Sequence, residues 1–307
     1  MPDLHVNIAP HNPSGLVLRN PIAAASGTFG YGSEYARIVD IQRLGAIFSK
    51  GTTLRPKRGA PPPRLAETPG GMLNAVGLQN PGVRNVVRDK APLWARWQTP
   101  VVVNVAGETI DEYVDTAATL DGVPGVAGIE LNISCPNVAA GGMIFGCDPA
   151  MAGGVTRAVR DATTLPLIVK LSPNVTDIRP VALAVAEAGA DALSLINTVL
   201  GMSIDVRARR PRLGNVTGGL SGPAVKPLAV RMVYQVAATV DLPLVGVGGV
   251  MTLEDVLEFL MAGASCVQVG TATFARPGTM VNLIDELAAW MDREGVRSLA
   301  ELVGAAH

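Results

Sequence analysis

The chain has 307 residues, of which 48% are hydrophobic, and its formal net charge is −1. This length and composition allow a sizeable buried core, and because α/β barrels of this size fold as one unit, we expect a single domain over residues 1–307. No basic stripe stands out, so the sequence gives no electrostatic support for nucleic-acid binding.

The same composition predicts a cytoplasmic protein without membrane association. No apolar run reaches the roughly 18 residues that a membrane-spanning helix needs, and the first residues lack the apolar core of a signal peptide. The three histidines, His5, His11 and His307, all lie near the termini. Histidine-dependent catalysis and histidine-rich metal sites are therefore nearly excluded.

Three cysteines are present, Cys135, Cys147 and Cys266, and none forms a CxxC pair. Three thiols do not supply the four usual ligands of an iron–sulfur cluster, and a disulfide framework is not expected in such a chain. Cys266 is typical of a small core residue, and Cys147 has no evident role. Cys135 follows a predicted strand and stands beside a proline and two amides, which favours a chemical role.

Predicted strands and helices alternate along the chain, after an N-terminal hairpin predicted from residues 4–10 and 15–20. Eight short apolar runs predict strands at residues 21–26, 45–50, 100–105, 127–133, 166–171, 191–197, 243–248 and 266–271. Helical periodicity predicts helices between them, for example at residues 34–44, 81–97, 181–190, 227–240 and 253–264.

Near-continuous apolar strands that are each followed by a helix indicate a parallel sheet covered on both faces. Eight such units in this length predict an α/β fold, a (β/α)8 TIM barrel whose bottom the hairpin could cap. An open doubly wound sheet is the alternative, but no GxGxxG motif follows the first strand. Long loops are expected after strands 2, 4 and 6, and those at residues 51–80 and 199–222 are long enough to be functional.

Functional residues of such a barrel lie where its strands end. Here those residues are Ser26, Gly27, Lys50, Gly51, Asn104, Asn132, Cys135, Asn137, Lys170, Asn197, Thr198, Gly248, Gly249, Gly270 and Thr271. Lysines and amides together suit a planar, anionic ligand with many hydrogen-bonding groups. Paired carboxylates are missing from these ends, which argues against a glycosidase and against a carboxylate-bound metal, so we expect no metal site.

Each of these residues can also be explained without a function. A strand-end lysine is usually solvated, but two lysines inside apolar strands are different because an unpaired buried ammonium is costly. A single strand-end asparagine is usually a turn former, whereas four at comparable positions are harder to explain that way. Glycines that end the seventh and eighth strands favour a phosphate site, since backbone N–H groups can then approach its oxygens closely.

Nine short motifs give the chain a specific resemblance. They are ASGTFGYG (25–32), SKGTT (49–53), NAVGLQNPG (74–82), LNISCPN (131–137), IVKLSPN (168–174), INT (196–198), GGLSG (218–222), GVGG (246–249) and QVGTA (268–272). In this order they resemble the dihydroorotate dehydrogenases, flavoenzymes of pyrimidine synthesis that use a (β/α)8 barrel and FMN. The resemblance covers essentially the whole chain. It implies oxidation of (S)-dihydroorotate to orotate, in which a base removes the C5 proton and hydride passes from C6 to flavin N5.

The resemblance also implies a subclass. The membrane-bound class is similar in its barrel but uses serine as the base and carries an N-terminal membrane helix, whereas this chain has Cys135 and no such helix. The motif NAVGLQNPG looks like that of the soluble NAD-linked type, class 1B, in which a second subunit carries FAD and a 2Fe–2S cluster. We therefore expect NAD+ as the acceptor and a homodimer core within a heterotetramer.

The resemblance assigns a role to each matched residue, beginning with Cys135 as the base on a loop that closes over the substrate. The residues implied in substrate binding are Lys50, Asn74, Ala75, Val76, Gly77, Leu78, Asn132, Asn137, Asn197 and Thr198. The residues implied in FMN binding are Ser26, Lys50, Gly51, Asn104, Asn132, Lys170, Ile196, Gly222, Gly248, Gly249, Gly270 and Thr271. Within that second group, Lys170 is expected near the N1/O2 edge of the flavin, and the residues from Gly248 onward are expected at the phosphate.

Four other interpretations stay open. They are a fumarate-linked dihydroorotate dehydrogenase of class 1A, another pyrimidine-acting flavin barrel such as the dihydropyrimidine dehydrogenase core, a phosphate-binding lyase or isomerase without flavin, and a non-catalytic assembly subunit. A colourless protein would indicate the lyase or isomerase. Loss of the base or of the lysines would indicate the assembly subunit, and the chain keeps both.

Overall fold

The computed structural model describes residues 2–134, 136–137 and 143–307, and only the backbone of residues 136, 137, 143 and 144. Eight parallel strands close into a barrel in chain order, with the eighth strand beside the first. Barrel strands 1 to 8 are Ile22–Ala24, Ala46–Phe48, Val101–Val105, Gly128–Asn132, Leu167–Lys170, Ala192–Leu195, Leu244–Val247 and Ala264–Val269. These strands lie at the eight predicted runs, so the predicted (β/α)8 TIM barrel is confirmed.

The barrel strands are buried on both faces, which explains their near-continuous apolar sequences. In barrel strand 3, Val101, Val103 and Val105 belong to a large outer cluster that includes helix residues such as Tyr113. Val102 belongs to a separate, smaller cluster inside the barrel. Successive side chains therefore point to opposite faces, as the period of two in a strand requires.

Helices cover the outside of the barrel. The α-helices are Val83–Asp89, Ala91–Trp94, Ile110–Leu120, Pro149–Ala162, Arg179–Glu187, Lys226–Ala237, Leu253–Met261, Ala272–Ala275 and Thr279–Glu294, and the 3-10 helices are Ile41–Arg43, Phe145–Cys147, Pro223–Val225 and Leu299–Glu301. Thr109, Asp148 and Thr252 cap three of the α-helices by accepting hydrogen bonds from backbone N–H groups of the first turn. Within the described residues, no helix has both the length and the apolar character needed to cross a membrane.

The helix predicted at residues 34–44 is wrong. This segment forms successive turns that end in the 3-10 helix Ile41–Arg43. The Glu34 carboxylate folds back and accepts a hydrogen bond from the Tyr31 N–H at 3.0 Å. After it, the backbone bonds are mainly those of single turns, such as Tyr35 N–H to the Gly32 carbonyl at 3.1 Å and Ile38 N–H to the Tyr35 carbonyl at 2.9 Å, which hydrophobic periodicity does not reveal.

The single helix predicted at residues 81–97 is also corrected. The segment holds two short helices, Val83–Asp89 and Ala91–Trp94, that meet at Lys90. Pro92 lies in the first turn of the second helix, where its missing N–H group costs nothing, whereas inside one continuous helix it would remove a hydrogen bond.

The predicted N-terminal hairpin is confirmed, and it packs against the bottom of the barrel. Val6–Asn7 pairs antiparallel with Val17–Leu18. The buried side chains of Ile8, Leu16 and Leu18 share one cluster with inward-facing barrel residues. The hairpin therefore closes the end of the barrel opposite the mouth, the end at which the strands finish.

The two long excursions after barrel strands 2 and 6 join in one four-stranded antiparallel sheet, which the sequence analysis does not predict. Its strands, in spatial order, are Val199–Met202, Thr217–Ser221, Gly71–Asn74 and Leu65–Thr68. Two shorter antiparallel ribbons pair Pro136–Asn137 with Met143–Ile144, and Ile204–Asp205 with Arg210–Pro211. Because both long excursions leave the ends of barrel strands, their sheet is a lateral wall of the barrel mouth.

Replacement of Leu18 by alanine tests whether the hairpin closes the barrel. Leu18 is fully buried and the adjacent Val17 is 61% exposed. Leu18→Ala should lower the free energy of unfolding by about 2–5 kcal/mol, and Val17→Ala should change it by less than about 0.5 kcal/mol. Denaturant-induced unfolding of both variants measures the difference, and equal losses would show that the hairpin does not pack as described.

Candidate active site

A buried lysine lies at the floor of the barrel mouth. Lys170 ends barrel strand 5 and is only 5% exposed. Its Nζ donates a hydrogen bond to Ser26 Oγ at 3.1 Å. Asn104 Nδ2 lies 3.4 Å from the same oxygen. The barrel thus brings together three residues that are far apart in the chain and that the sequence predicted to share a site.

Glu130 also belongs to this floor, although it is not among the residues predicted from the sequence. It lies in barrel strand 4, two residues before Asn132, and is fully buried. Its Oε2 accepts a hydrogen bond from Asn104 Nδ2 at 2.6 Å, and its Oε1 accepts bonds from Ser194 Oγ and Gln268 Nε2, each at 2.9 Å. A glutamate within an apolar strand, on the same face as a predicted site residue, was the signal that could have revealed it.

The charge of Lys170 compensates the carboxylate of Glu130. The two side chains form an ion pair, with 3.7 Å between Lys170 Nζ and Glu130 Oε2. Burial alone would raise the pKa of the Glu130 carboxyl, but the charge of Lys170 and the hydrogen bonds from neutral side chains hold this pKa below its ordinary value. Glu130 is therefore an anion inside the barrel.

Amide side chains form the rim above this floor. Asn197 Nδ2 donates hydrogen bonds to Asn132 Oδ1 at 3.1 Å and to Ser134 Oγ at 2.9 Å. Asn197 Oδ1 accepts a bond from the Thr198 N–H at 2.9 Å. The Tyr113 hydroxyl donates to the Asn132 carbonyl at 2.7 Å and so fixes the end of barrel strand 4. These amides are partly exposed at the mouth.

Asn74 reaches this rim through the four-stranded sheet. Its Nδ2 donates to the Gly219 carbonyl at 3.1 Å. A Cβ atom at position 219 would lie only 2.0 Å from Thr198 Oγ1, so glycine is required for this close approach. The sheet therefore places Asn74 beside the end of barrel strand 6.

Lys50 provides a second cation near the end of barrel strand 2. Its backbone N–H donates to the Gly30 carbonyl at 2.8 Å. Partial burial lowers the pKa of the Lys50 ammonium below its ordinary value, an effect that Glu34 opposes and Arg64 reinforces.

The motif loop at residues 74–82 is fixed by the buried Asn80 side chain. Asn80 Oδ1 accepts hydrogen bonds from the N–H groups of Thr53 at 3.2 Å and Gly82 at 2.8 Å. Its Nδ2 donates to Thr53 Oγ1 at 2.8 Å and to the Leu78 carbonyl at 2.7 Å. One amide therefore ties the loop to the segment that follows barrel strand 2.

Some of the backbone groups predicted to bind substrate form hydrogen bonds within the excursion that follows barrel strand 2. The Ala75 N–H donates to the Arg64 carbonyl at 2.8 Å, and the Val76 carbonyl accepts from Ala60 at 3.0 Å. The exposed Gly77 packs against Ala60.

Leu78 lies with its side chain close to Gly51 and Asn104. Its φ of +53° lies in the left-handed region, which is uncommon for leucine. A Cβ at Gly51 would lie 3.0 Å from Leu78 Cδ2 and 3.1 Å from Asn104 Oδ1. This strained residue thus lies beside two of the residues predicted to bind the cofactor.

Glycines follow the ends of barrel strands 7 and 8, so the backbone there carries no side chains. Gly249 has a φ of +83°, and a Cβ there would lie 2.8 Å from Lys226 Cβ and 2.9 Å from the Gly222 carbonyl. Nearby, Thr271 Oγ1 donates to Ser221 Oγ at 2.8 Å. These groups bring Gly249 and Thr271, two of the predicted phosphate-binding residues, to the same side of the mouth as Gly222, which is predicted to bind another part of FMN.

Two predicted site residues cannot be placed by their side chains. Cys135 lies outside the described residues, and of Asn137 only the backbone is described. Of the other cysteines, Cys147 Sγ lies 3.7 Å from the Asn174 carbonyl, and Cys266 is fully buried in the cluster inside the barrel. Burial raises the pKa of the Cys266 thiol to about 12, so this thiol is neutral.

The sequence model described as dihydroorotate dehydrogenase matches residues 9–291. The chain belongs to the dihydroorotate dehydrogenase family. The dihydroorotate dehydrogenase B (NAD(+)) catalytic subunit of Desulforudis audaxviator is 59% identical over 294 residues, which are 96% of each chain. The proteins of the same name from Pelobacter propionicus and Geobacter sulfurreducens are each 55% identical over 304 residues, which are 99% of this chain and 98% of theirs.

Members of this family are flavin-dependent oxidoreductases, and the residues at the mouth fit a flavin. A planar, electron-accepting ring needs hydrogen-bond donors and a cation at its polar edge, and Lys170, Asn104 and Ser26 offer these groups. A phosphate needs donors without bulky side chains, and the backbone around Gly249 is bare. The donor chemistry on both sides of the mouth therefore matches the cofactor.

Replacement of Asn80 by alanine tests how the motif loop is fixed. The change removes the acceptor of the Thr53 and Gly82 N–H groups, at a cost of about 1–3 kcal/mol for each buried group left unsatisfied. Amide hydrogen exchange at these two positions should therefore accelerate by about tenfold or more. Asn215→Ala, at an exposed asparagine, should leave their exchange unchanged. Equal protection of both amides in the native protein and in Asn80→Ala would contradict this role.

Proposed function

We propose that this chain is the FMN-binding catalytic subunit of a dihydroorotate dehydrogenase, which oxidises (S)-dihydroorotate to orotate in pyrimidine biosynthesis. The observation that carries the proposal is the Lys170 ammonium, held by Ser26 at the floor of the mouth beneath the amides of Asn132 and Asn197. Family membership and the names of the relatives agree with it. The barrel would act as one FMN-binding domain.

The residues of the floor would hold the cofactor. Lys170 would face the polar edge of the flavin ring as a fixed positive charge, and electrostatic stabilisation of this kind costs no reorganisation during the reaction. Asn104 and Ser26 would bind the ring, with Gly51 and Ile196 beside it. When bound, FMN supplies the acceptor for the C6 hydrogen of the substrate and its electron pair.

The glycine backbone would bind the FMN phosphate. The N–H groups near Gly248, Gly249 and Gly270, with Thr271, would donate to its oxygens, and Gly222 would line the adjoining ribityl chain. This arrangement uses backbone dipoles in place of arginines.

The rim residues would bind and orient the substrate. Amide side chains both donate and accept hydrogen bonds, which suits the ring N–H and C=O groups of dihydroorotate. Asn132 and Asn197 already share a hydrogen bond, and Asn74 is held beside Thr198. Asn137 and the segment from Ala75 to Leu78 would assist, and Lys50 would lie near both ligands.

Cys135 would be the base that accepts the C5 proton. A thiol becomes an effective base when its surroundings favour the thiolate. The two titratable thiols that the structure places are poor alternatives, because Cys266 is buried and neutral, and burial raises the pKa of Cys147. The position of Cys135 directly after Ser134, which bonds to the rim residue Asn197, supports the assignment.

NAD+ would be the final electron acceptor, reached through a partner. The relatives are named catalytic subunits of an NAD(+) enzyme, which favours NAD+ over fumarate. We propose a partner subunit that carries FAD and a 2Fe–2S cluster, and a homodimer of this chain at the centre of a heterotetramer.

Replacement of Cys135 by alanine tests the base directly. The FMN contacts lie elsewhere, so the variant should bind FMN as the native chain does. Flavin reduction by dihydroorotate should slow by about 10²- to 10⁴-fold, the usual contribution of general base catalysis. Anaerobic stopped-flow absorbance in a single turnover measures the rate.

Cys147→Ala is the matched control for this experiment, and it should reduce at the native rate because the Cys147 thiol faces the Asn174 carbonyl and burial raises its pKa. A Cys135→Ala protein that reduces as fast as native would contradict the assignment of the base. A native protein that binds FMN but is not reduced by dihydroorotate would contradict the proposed function itself.

Replacement of Gly249 by alanine tests the phosphate cradle. The new Cβ would force Lys226 and the Gly222 carbonyl apart, so the dissociation constant of FMN should rise by about tenfold or more, equivalent to about 1.4 kcal/mol. Gly154→Ala is the control, because Gly154 is helical and a Cβ there meets no atom within 4 Å. Flavin fluorescence quenching measures both constants, and native affinity in Gly249→Ala would contradict the cradle.

A further inference from the structure

Glu130 is a buried charge to which the proposed chemistry gives no task. It accepts hydrogen bonds from Asn104 on barrel strand 3, Ser194 on barrel strand 6 and Gln268 on barrel strand 8. It is fully buried, so it contacts neither solvent nor a ligand in the mouth directly. Its influence on a ligand is therefore exerted through its charge and through the neighbours that it holds.

Lys170 is the neighbour that links Glu130 to the mouth. Among the described residues, Lys170 and Glu130 form an ion pair with each other, and no other ion pair includes either of them. Lys170 also donates to Ser26, whose Oγ lies 3.4 Å from Asn104 Nδ2, and the same Nδ2 donates to Glu130. The carboxylate therefore restrains the ammonium directly and restrains its neighbouring donors through Asn104.

The stability of the barrel does not explain why Glu130 and Lys170 form a buried ion pair. Burying two charges is costly, and an ion pair in a protein interior is often no more stabilising than apolar residues of similar volume. Loss of one partner is different, because the other is left as an uncompensated buried charge. The pair therefore adds little to the stability of the barrel. It does fix the position of the Lys170 charge, because separating the two charges is costly.

We propose that Glu130 is a positioning residue, which holds the Lys170 ammonium in place at the floor of the mouth and thereby sets the electrostatic stabilisation of the reduced flavin. This inference rests on the proposed function, in which Lys170 faces the flavin. Glu130→Gln removes the charge at nearly constant shape. Without the carboxylate, the Lys170 ammonium is an uncompensated buried charge and moves toward solvent, so the flavin loses its fixed cation.

The first test uses the protein without flavin. In a sample with ¹⁵N-labelled lysine, the native chain should show a slowly exchanging ammonium signal from Lys170, identified by its absence in Lys170→Met. The signal should disappear in Glu130→Gln. It should persist in Ser194→Ala, the matched control, which removes one hydrogen bond to Glu130 but leaves its charge. Absence of the signal from the native chain, or its retention in Glu130→Gln, would overturn the proposal.

The second test measures the midpoint potential of bound FMN, which a role in packing alone would not change. The potential should fall in Glu130→Gln and in Lys170→Met, because both lose the fixed cation, and stay native in Ser194→Ala. Glu130→Asp, which keeps the charge on a shorter side chain, should fall between native and Glu130→Gln. An unchanged or higher potential in Glu130→Gln would overturn the proposal.

A third variant keeps the proposal testable if Glu130→Gln does not fold. The double variant Glu130→Gln/Lys170→Met removes both charges and should be more stable than Glu130→Gln alone. A double variant no more stable than the single one would overturn the pairing. A native chain that binds no flavin would instead refute the proposed function, a result that the lysine spectra distinguish because they are recorded without flavin.

Discussion

The site depends on one electrostatic constraint, a carboxylate and an ammonium held together inside a barrel that is otherwise packed with apolar side chains. Glu130 is fully buried and Lys170 nearly so. Two such charges are tolerated because each compensates the other and because neutral donors surround the carboxylate. The layer of the barrel below is apolar and closed by the N-terminal hairpin. The ion pair therefore lies between the apolar core of the barrel and the polar residues of the mouth.

The rest of the mouth is built on that level. The ends of barrel strands 4 and 6 supply the amides of Asn132 and Asn197. The glycines after barrel strands 7 and 8 leave bare backbone on another side. The sheet formed by the two long excursions places Asn74 against the end of barrel strand 6. A planar cofactor and a flat, polar substrate are the ligands that this combination of cation, amides and bare backbone suits.

The sequence predicts the strand ends well, because parallel strands in a closed barrel finish at one mouth and the polar residues there interrupt apolar runs. It misses Glu130, which lies two residues before the end of its strand and whose partners lie on four other barrel strands. The helix expected at residues 34–44 is wrong because the backbone of this segment bonds mainly in single turns. Pairing between the excursions was not predictable either, since Gly219 and Asn74 meet only once the barrel has placed them.

The measurement that tests the account most directly is an anaerobic titration of the purified, FMN-loaded chain with (S)-dihydroorotate, followed by visible absorbance. If the mouth holds flavin and substrate as proposed, the flavin bands bleach in proportion to added dihydroorotate and an equivalent amount of orotate forms. Flavin bands that stay constant at saturating dihydroorotate would contradict the account, because the cofactor would then be bound without accepting electrons from this substrate.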